Sequence, residues 1–303
     1  MDKRLDASAI RGAVIAVDVG GTTTRVALIQ PGQGVAAPSA FPTEQEYAAQ
    51  MTRLAEVIGA TEQSARQRVG APVAGIGVSL GGRIAEDGAS VAVAPNLRDY
   101  EGHPFVPDLM ERCVGLPTRL AHDAVCGLLA ERRLGALAGA RRCAYLTLST
   151  GTGCAIHLES PAGSGVDISI EIGHQVLDGN ERVCLCGQVG CLETYTGGRQ
   201  LTMRYGQPIE TLPAATWTEL ADALVEKLSV GLVNLAQVTR VERVAIGGAI
   251  ALRHPELLAA LRAGVGQRLR GARLDLALAR LADDAPLVGA ALLLTTPAGE
   301  VIH

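Results

Sequence analysis

The 303 residues contain two Phe, five Tyr and one Trp, so Ala, Leu and Val must fill the interior and base-stacking platforms are scarce. A net positive charge is also missing: 27 basic residues face 31 acidic ones, a formal charge of -4 that offers no global field to DNA, RNA or anionic lipid. The basic runs at Glu131-Arg132-Arg133 and Arg141-Arg142 are short and read as solvated helix ends. Long apolar runs are lacking as well. The stretch 287–294 is far short of the roughly 18 residues a membrane span needs, and the charged start MDKRLDASAIRG has no signal-peptide core. These absences predict a protein that binds neither nucleic acid nor membrane and works in the cytoplasm. There its seven cysteines, an odd number, would be free thiols and not a disulfide framework. Two nucleotide signatures are absent: no GxGxxG follows the first apolar run, and no GxxxxGK[ST] occurs.

Hydrophobic residues make up 48% of the chain and charged ones 19%, enough for a large α/β unit or two lobes. Apolar runs ending in glycine turns recur at Asp18, Ser79, Thr150 and Gly247. Such turns expose backbone N–H groups and suit anion binding. AVIAVDVGG and TTTRVALIQ read as two strands about a sharp turn, with PGQG turning into a third near 35–41; VAGIGVSLGG is a further strand and turn. Helices are expected over about 44–60, with Thr43 as a cap, over 105–112, and over 217–239, where Leu220, Leu224, Leu228, Leu232 and Leu235 form a stripe. TRLAHDAVCGLLAERRLG passes from strand to helix near Asp123. AYLTLSTGTGCAIHL reads as two strands, VERVAIGGAI as another, and 286–294 as a closing helix.

The densest chemistry lies in EIGHQVLDGNERVCLCGQVGC. Three thiolates from Cys184, Cys186 and Cys191 and the imidazole of His174 suit a tetrahedral zinc ion with no open position, so the metal would be structural. A redox dithiol and unrelated buried cysteines are the alternatives. Cys113, Cys126, Cys143 and Cys154 are scattered and read as core thiols.

Here the chain resembles the ROK family of bacterial sugar kinases and repressors. The resemblance rests on Glu171-Ile172-Gly173-His174 followed by Cys184-Leu185-Cys186-Gly187-Gln188-Val189-Gly190-Cys191-Leu192-Glu193, and extends over nearly the whole sequence. It implies a two-lobed α/β fold of the actin-like, ribonuclease-H-like kind. The N-terminal lobe is expected over 1–122, completed by a last helix over 287–303. The C-terminal lobe is expected over 123–286 and carries the zinc segment 174–191.

The implied reaction is transfer of phosphoryl from ATP, with Mg2+, to the 6-hydroxyl of a hexose. By this resemblance Asp18, Gly20, Gly21, Thr22 and Thr23 form the first phosphate loop, Thr150, Gly151, Thr152 and Gly153 the second, and Gly247 and Gly248 flank the nucleotide. Thr23 stands where the family usually has lysine, and Arg25 is the candidate substitute. Asp123 is the implied base that takes the sugar proton, although alone it reads equally as a helix cap. Glu171, His174, Glu193, Asn96, His122 and Asp123 are the implied sugar contacts, with one His174 nitrogen on the metal and the other on the sugar. His122 replaces the usual Asn, and Ile170 replaces a common glycine. Glu171 favours glucose, because relatives acting on N-acetylmannosamine often carry histidine there; N-acetylglucosamine and N-acetylmannosamine are the alternatives. Few residues precede the first strand, which favours a kinase over a sugar-sensing repressor. The family resemblance also implies a homodimer or homotetramer.

Overall fold

The computed structural model describes residues 12–302 except 33, 34, 36, 70, 71, 114 and 298. The charged amino-terminal stretch through residue 11 and the Gln33-Gly34 part of the expected PGQG turn lie outside the described residues. The chain divides into two compact units, Met1–Ala130 with Asp284–His303, and Glu131–Asp283.

The first unit contains β1 (Ala13–Val19), β2 (Thr23–Ile29), β3 (Ser39–Pro42), α1 (Tyr47–Val69), β4 (Val73–Leu80), a small hairpin of β5 (Arg83–Ile84) and β6 (Val91–Val93), α2 (Phe105–Arg112) and β7 (Thr118–His122). Helix α3 (Asp123–Leu134) follows. Its main sheet runs β3-β2-β1-β4-β7. The pairs β3–β2 and β2–β1 are antiparallel, whereas β1–β4 and β4–β7 are parallel. Strand alternation sorts β4 into two faces. Ile76, Val78 and Leu80 join a core with Met51, Leu54, Tyr100 and Phe105. Gly75 and Gly77 turn the other way, towards Leu294 and Ala290.

The second unit contains β8 (Arg142–Leu148), β9 (Thr152–Glu159), β10 (Gly165–Ile170), α4 (Glu193–Thr196), α5 (Gly198–Tyr205), α6 (Ala214–Thr239), β11 (Arg243–Gly247), α7 (Gly248–Arg253), α8 (Leu257–Arg268) and β12 (Asp275–Leu278). Its strands run β10-β9-β8-β11-β12. This is the first sheet's plan repeated: third, second, first, fourth, fifth in chain order, with antiparallel pairs on one side and parallel pairs on the other. The leucine stripe of α6 is buried against this sheet.

Helix α9 (Ala285–Leu293) returns to the first unit. A Cβ on Gly77 would lie 1.8 Å from the Ala290 carbonyl oxygen, and one on Gly289 would lie 1.8 Å from that of Cys126. Glycine at these points lets helix, strand and α3 meet backbone to backbone. The same contact explains why residues 123–130 group with the first unit, whereas the sequence reading put the boundary before 123.

Helix α1 begins three residues later than the sequence predicts and continues to Val69, its stripe extended by Ala65. Thr43 is not its cap. The Thr43 hydroxyl donates to the Gly20 carbonyl at 2.8 Å, and the Tyr47 N–H donates instead to Asp99 Oδ2 at 2.8 Å. Among the described residues no helix is long and apolar enough to cross a membrane.

Candidate active site

In the first unit the β registers assemble a polar cluster. Asp18 pairs with Arg25 on β2 and with Ser79 on β4. Arg25 forks onto Asp18 Oδ2 with Nη2 at 2.7 Å and Nε at 3.2 Å, while Ser79 Oγ donates to Oδ1 at 2.9 Å. Burial pushes the Asp18 carboxyl up from its ordinary value; Arg25 and Ser79 pull it down, and the charge of Asp123 adds to the rise. Arg25 thus grips Asp18 and is not set apart as a stand-in for the lysine missing at Thr23. In the turn, the Gly20 N–H donates to the Thr23 carbonyl at 3.1 Å, so this amide is engaged within the protein. A Cβ on Gly21 would touch the Asn96 Cβ at 3.0 Å, which seats Asn96 on the loop.

His122 ends β7 and Asp123 starts α3. The Ala124 N–H donates to His122 Nδ1 at 3.2 Å, so the imidazole caps the helix and Asp123 is relieved of that task. Asp123 Oδ1 is buried, takes no hydrogen bond, and lies 3.2 Å from His122 Nδ1. The Asp123 side chain as a whole is 30% exposed although Oδ1 is covered, so the carboxylate is open to solvent at its other edge. The capping histidine was not foreseen; its only trace in the sequence is its position at the strand-to-helix junction.

The second unit gathers the remaining candidates. The loop Ser149–Gly151 is held from outside: Gly198 N–H donates to the Ser149 carbonyl at 2.8 Å and Arg199 N–H to the Thr150 carbonyl at 2.9 Å. Thr152 N–H donates to Glu193 Oε2 at 2.7 Å, and the Thr152 and Thr196 hydroxyls lie 2.7 Å apart. Like that of Gly20, the Thr152 amide is therefore engaged inside the protein. Gly247 sits opposite Thr147 in the β11–β8 register. Gly248 takes φ +84°, and a Cβ there would meet the Leu148 carbonyl at 2.4 Å, so this pair abuts the start of the loop.

Glu171 is exposed at the entry to a short turn through His174. His174 Nε2 lies 4.0 Å from Glu171 Oε2, and Nδ1 lies 3.8 Å from Cys184 Sγ. The ligand atoms of His174, Cys184, Cys186 and Cys191 all lie within 4.8 Å of one another. Thiolates about 2.3 Å from a tetrahedral zinc would stand about 3.8 Å apart. The Cys186–Cys191 separation is 3.7 Å, so the donor set fits that ion. Gln200 adds support from α5, its amide donating to Cys184 Sγ at 3.0 Å; an acceptor-only thiolate requires the NH2 end there. A zinc ion held by all four would supply rigidity and no open coordination position. Cys113, Cys126, Cys143 and Cys154 are buried free thiols, and burial raises the pKa of each.

The repeated sheet plan and its glycine turns define a two-unit α/β protein of the actin-like, ribonuclease-H-like ATPase class. The model of the ROK family matches residues 14–296, and the chain belongs to that family. Glucokinase of Streptomyces coelicolor is 28% identical over 197 residues, a match spanning 65% of this chain and only 59% of that enzyme. N-acetylmannosamine kinase of Citrobacter koseri is 29% identical over 296 residues, spanning 93% of this chain and 98% of that one. Among solved structures, the ROK hexokinase from Thermus thermophilus superposes with a TM-score of 0.74 at 27% identity, covering 92% of this chain and 97% of that one.

Proposed function

We propose that this protein is a sugar kinase that transfers phosphoryl from Mg-ATP to the 6-hydroxyl of a hexose. The observation that carries the reading is the Asp123 carboxylate, partly exposed at the start of α3 and relieved of helix capping by His122. A hydroxyl becomes an adequate nucleophile when its proton has such an acceptor. Asp18, steadied by Arg25 and Ser79, would organise the Mg-nucleotide, with the Gly20–Thr23 and Thr150–Gly153 loops and the Gly247-Gly248 pair beside the phosphates and nucleotide. Glu171, His174, Glu193, Asn96 and His122 would read the sugar. His174 can serve metal and sugar at once, since Nδ1 faces Cys184 and Nε2 faces Glu171.

Glu171 alone ranks glucose first. The near full-length likeness to an N-acetylmannosamine kinase, against a 59% match to the glucokinase, moves N-acetylmannosamine or N-acetylglucosamine ahead of glucose. The proposed assembly is a homodimer or homotetramer, to be checked by light scattering.

The test is steady-state turnover of these sugars and mannose with Mg-ATP, for the wild type and Asp123→Asn. Removing a general base costs about 10²-fold or more in kcat, while sugar affinity by calorimetry should largely survive. Equal turnover by the variant would take Asp123 out of the base role. A glucose kcat/KM exceeding those of both N-acetylated sugars would restore glucose to first rank.

A further inference from the structure

Glu193 was expected only as a sugar contact. Its side chain is also bordered by three glycines from separate segments. A Cβ on Gly151 would meet Glu193 Oε2 at 2.9 Å, one on Gly197 would meet its Cγ at 2.6 Å, and one on Gly173 would meet its Cβ at 3.5 Å. Oε2 accepts from the backbone N–H of Thr152 at 2.7 Å. The same short helix is tied to this strand start a second time, through the contact between the Thr196 and Thr152 hydroxyls.

We propose that Glu193 is a positioning residue for the nucleotide: its Oε2 fixes the shape of the 149–153 loop through the Thr152 N–H, leaving Oε1 for a sugar hydroxyl. The inference rests on the kinase reading, which assigns that loop to phosphate. Sugar and nucleotide then share one carboxylate, so each ligand's occupancy bears on the affinity for the other, and the linkage is reciprocal.

A residue that only contacts sugar would not alter nucleotide binding when sugar is absent. The experiment therefore titrates the metal-loaded, full-length protein with magnesium and adenylyl imidodiphosphate, without sugar, by calorimetry. Glu193→Ala removes the acceptor and orphans the Thr152 N–H, so affinity for the analogue should fall about tenfold or more. Glu193→Gln keeps a carbonyl oxygen for that N–H and should stay within about threefold of wild type, while its sugar affinity drops through loss of the charge. Glu193→Asp keeps the charge but withdraws it by one methylene; it should lose nucleotide affinity as the alanine variant does, and it serves if that variant does not fold. Wild-type nucleotide affinity in Glu193→Asp or Glu193→Ala overturns the inference. A wild-type protein that does not bind the analogue overturns the kinase reading itself.

Discussion

Glu131 is fully buried, and both of its carboxylate oxygens accept backbone hydrogen bonds: Oε2 from Ala136 N–H at 2.6 Å and Oε1 from Leu281 N–H at 2.7 Å. A Cβ on Gly135 would lie 2.0 Å from Oε2, so the seat exists because that residue is glycine. Glutamine has nearly the same shape, yet it cannot fill the seat. One of its two terminal groups must be an NH2, and that donor would face another N–H. Glu131→Gln therefore loses one charge-assisted bond, weakens the other and introduces a donor–donor contact. A bond to a charged group is worth roughly 1.5–3 kcal/mol. Ala136 and Leu281 are only half-buried, so water can recover part of the loss, and a net cost of about 2–3 kcal/mol is expected. In a unit of this size that corresponds to a fall in Tm of roughly 5–10 °C. Differential scanning calorimetry measures the shift, and hydrogen exchange should show faster exchange at residues 136 and 281. A glutamine variant within about 0.5 kcal/mol of wild type, inside the range of ordinary surface substitutions, would refute the reasoning.

Asp18 yields a pH prediction. Its folded-state pKa is raised by burial, so its contribution to stability is complete below the unfolded carboxylate range and declines as pH rises through the folded value. As pH rises from the unfolded carboxylate range towards neutrality, the stability of Asp18→Asn relative to wild type should climb, as read from urea midpoints, while turnover is lost; a relative stability that falls as pH rises contradicts the assignment. Purified protein should carry about one zinc per chain, and chelation should open Cys184, Cys186 and Cys191 to a thiol reagent while the four buried core cysteines stay protected. Metal-free protein with unchanged thiol reactivity would remove the zinc centre. Ser229 Oγ on α6 is buried without a partner, so Ser229→Ala should be neutral or stabilising by about 1 kcal/mol in chemical denaturation. Gly264→Ala, which drives a Cβ to 2.4 Å from that hydroxyl, should destabilise, and much of its cost should vanish when both changes are combined.

Local signals were legible in the sequence and distant ones were not. The glycine-ended strands, the α6 stripe and the junction at Asp123 follow from periodicities within a dozen or two residues, and the His174, Cys184, Cys186 and Cys191 cluster lies within one segment, 174–191. Strands β10, GVDISI, and β12, DLAL, are harder to read, because neither has the length or apolar continuity of β1 or β4. The cap of α1 comes from Asp99, the acceptor for Leu281 N–H comes from Glu131, and Thr152 finds its acceptor at Glu193. These pairs are brought together only by the tertiary fold, and no spacing rule reaches that far. Arg25 was legible as a cation near the first loop, but its pairing with Asp18 follows from the β1–β2 register, which the sequence leaves open.

The backbone-to-backbone seating of α9 against Gly77 and Cys126 bears on how the chain is made. The second unit is one uninterrupted stretch, Glu131–Asp283, whereas the first needs Ala285–Leu293 to cover one face of its sheet. Synthesis runs from the amino terminus, so the unit whose strands emerge first is the one that must wait. Until α9 arrives, Gly75 and Gly77 of β4 offer bare peptide groups with no side chains to cover them. The later-made unit is free to finish earlier, and a released chain truncated after residue 284 should show protease resistance over 131–283 and cleavage within 12–130.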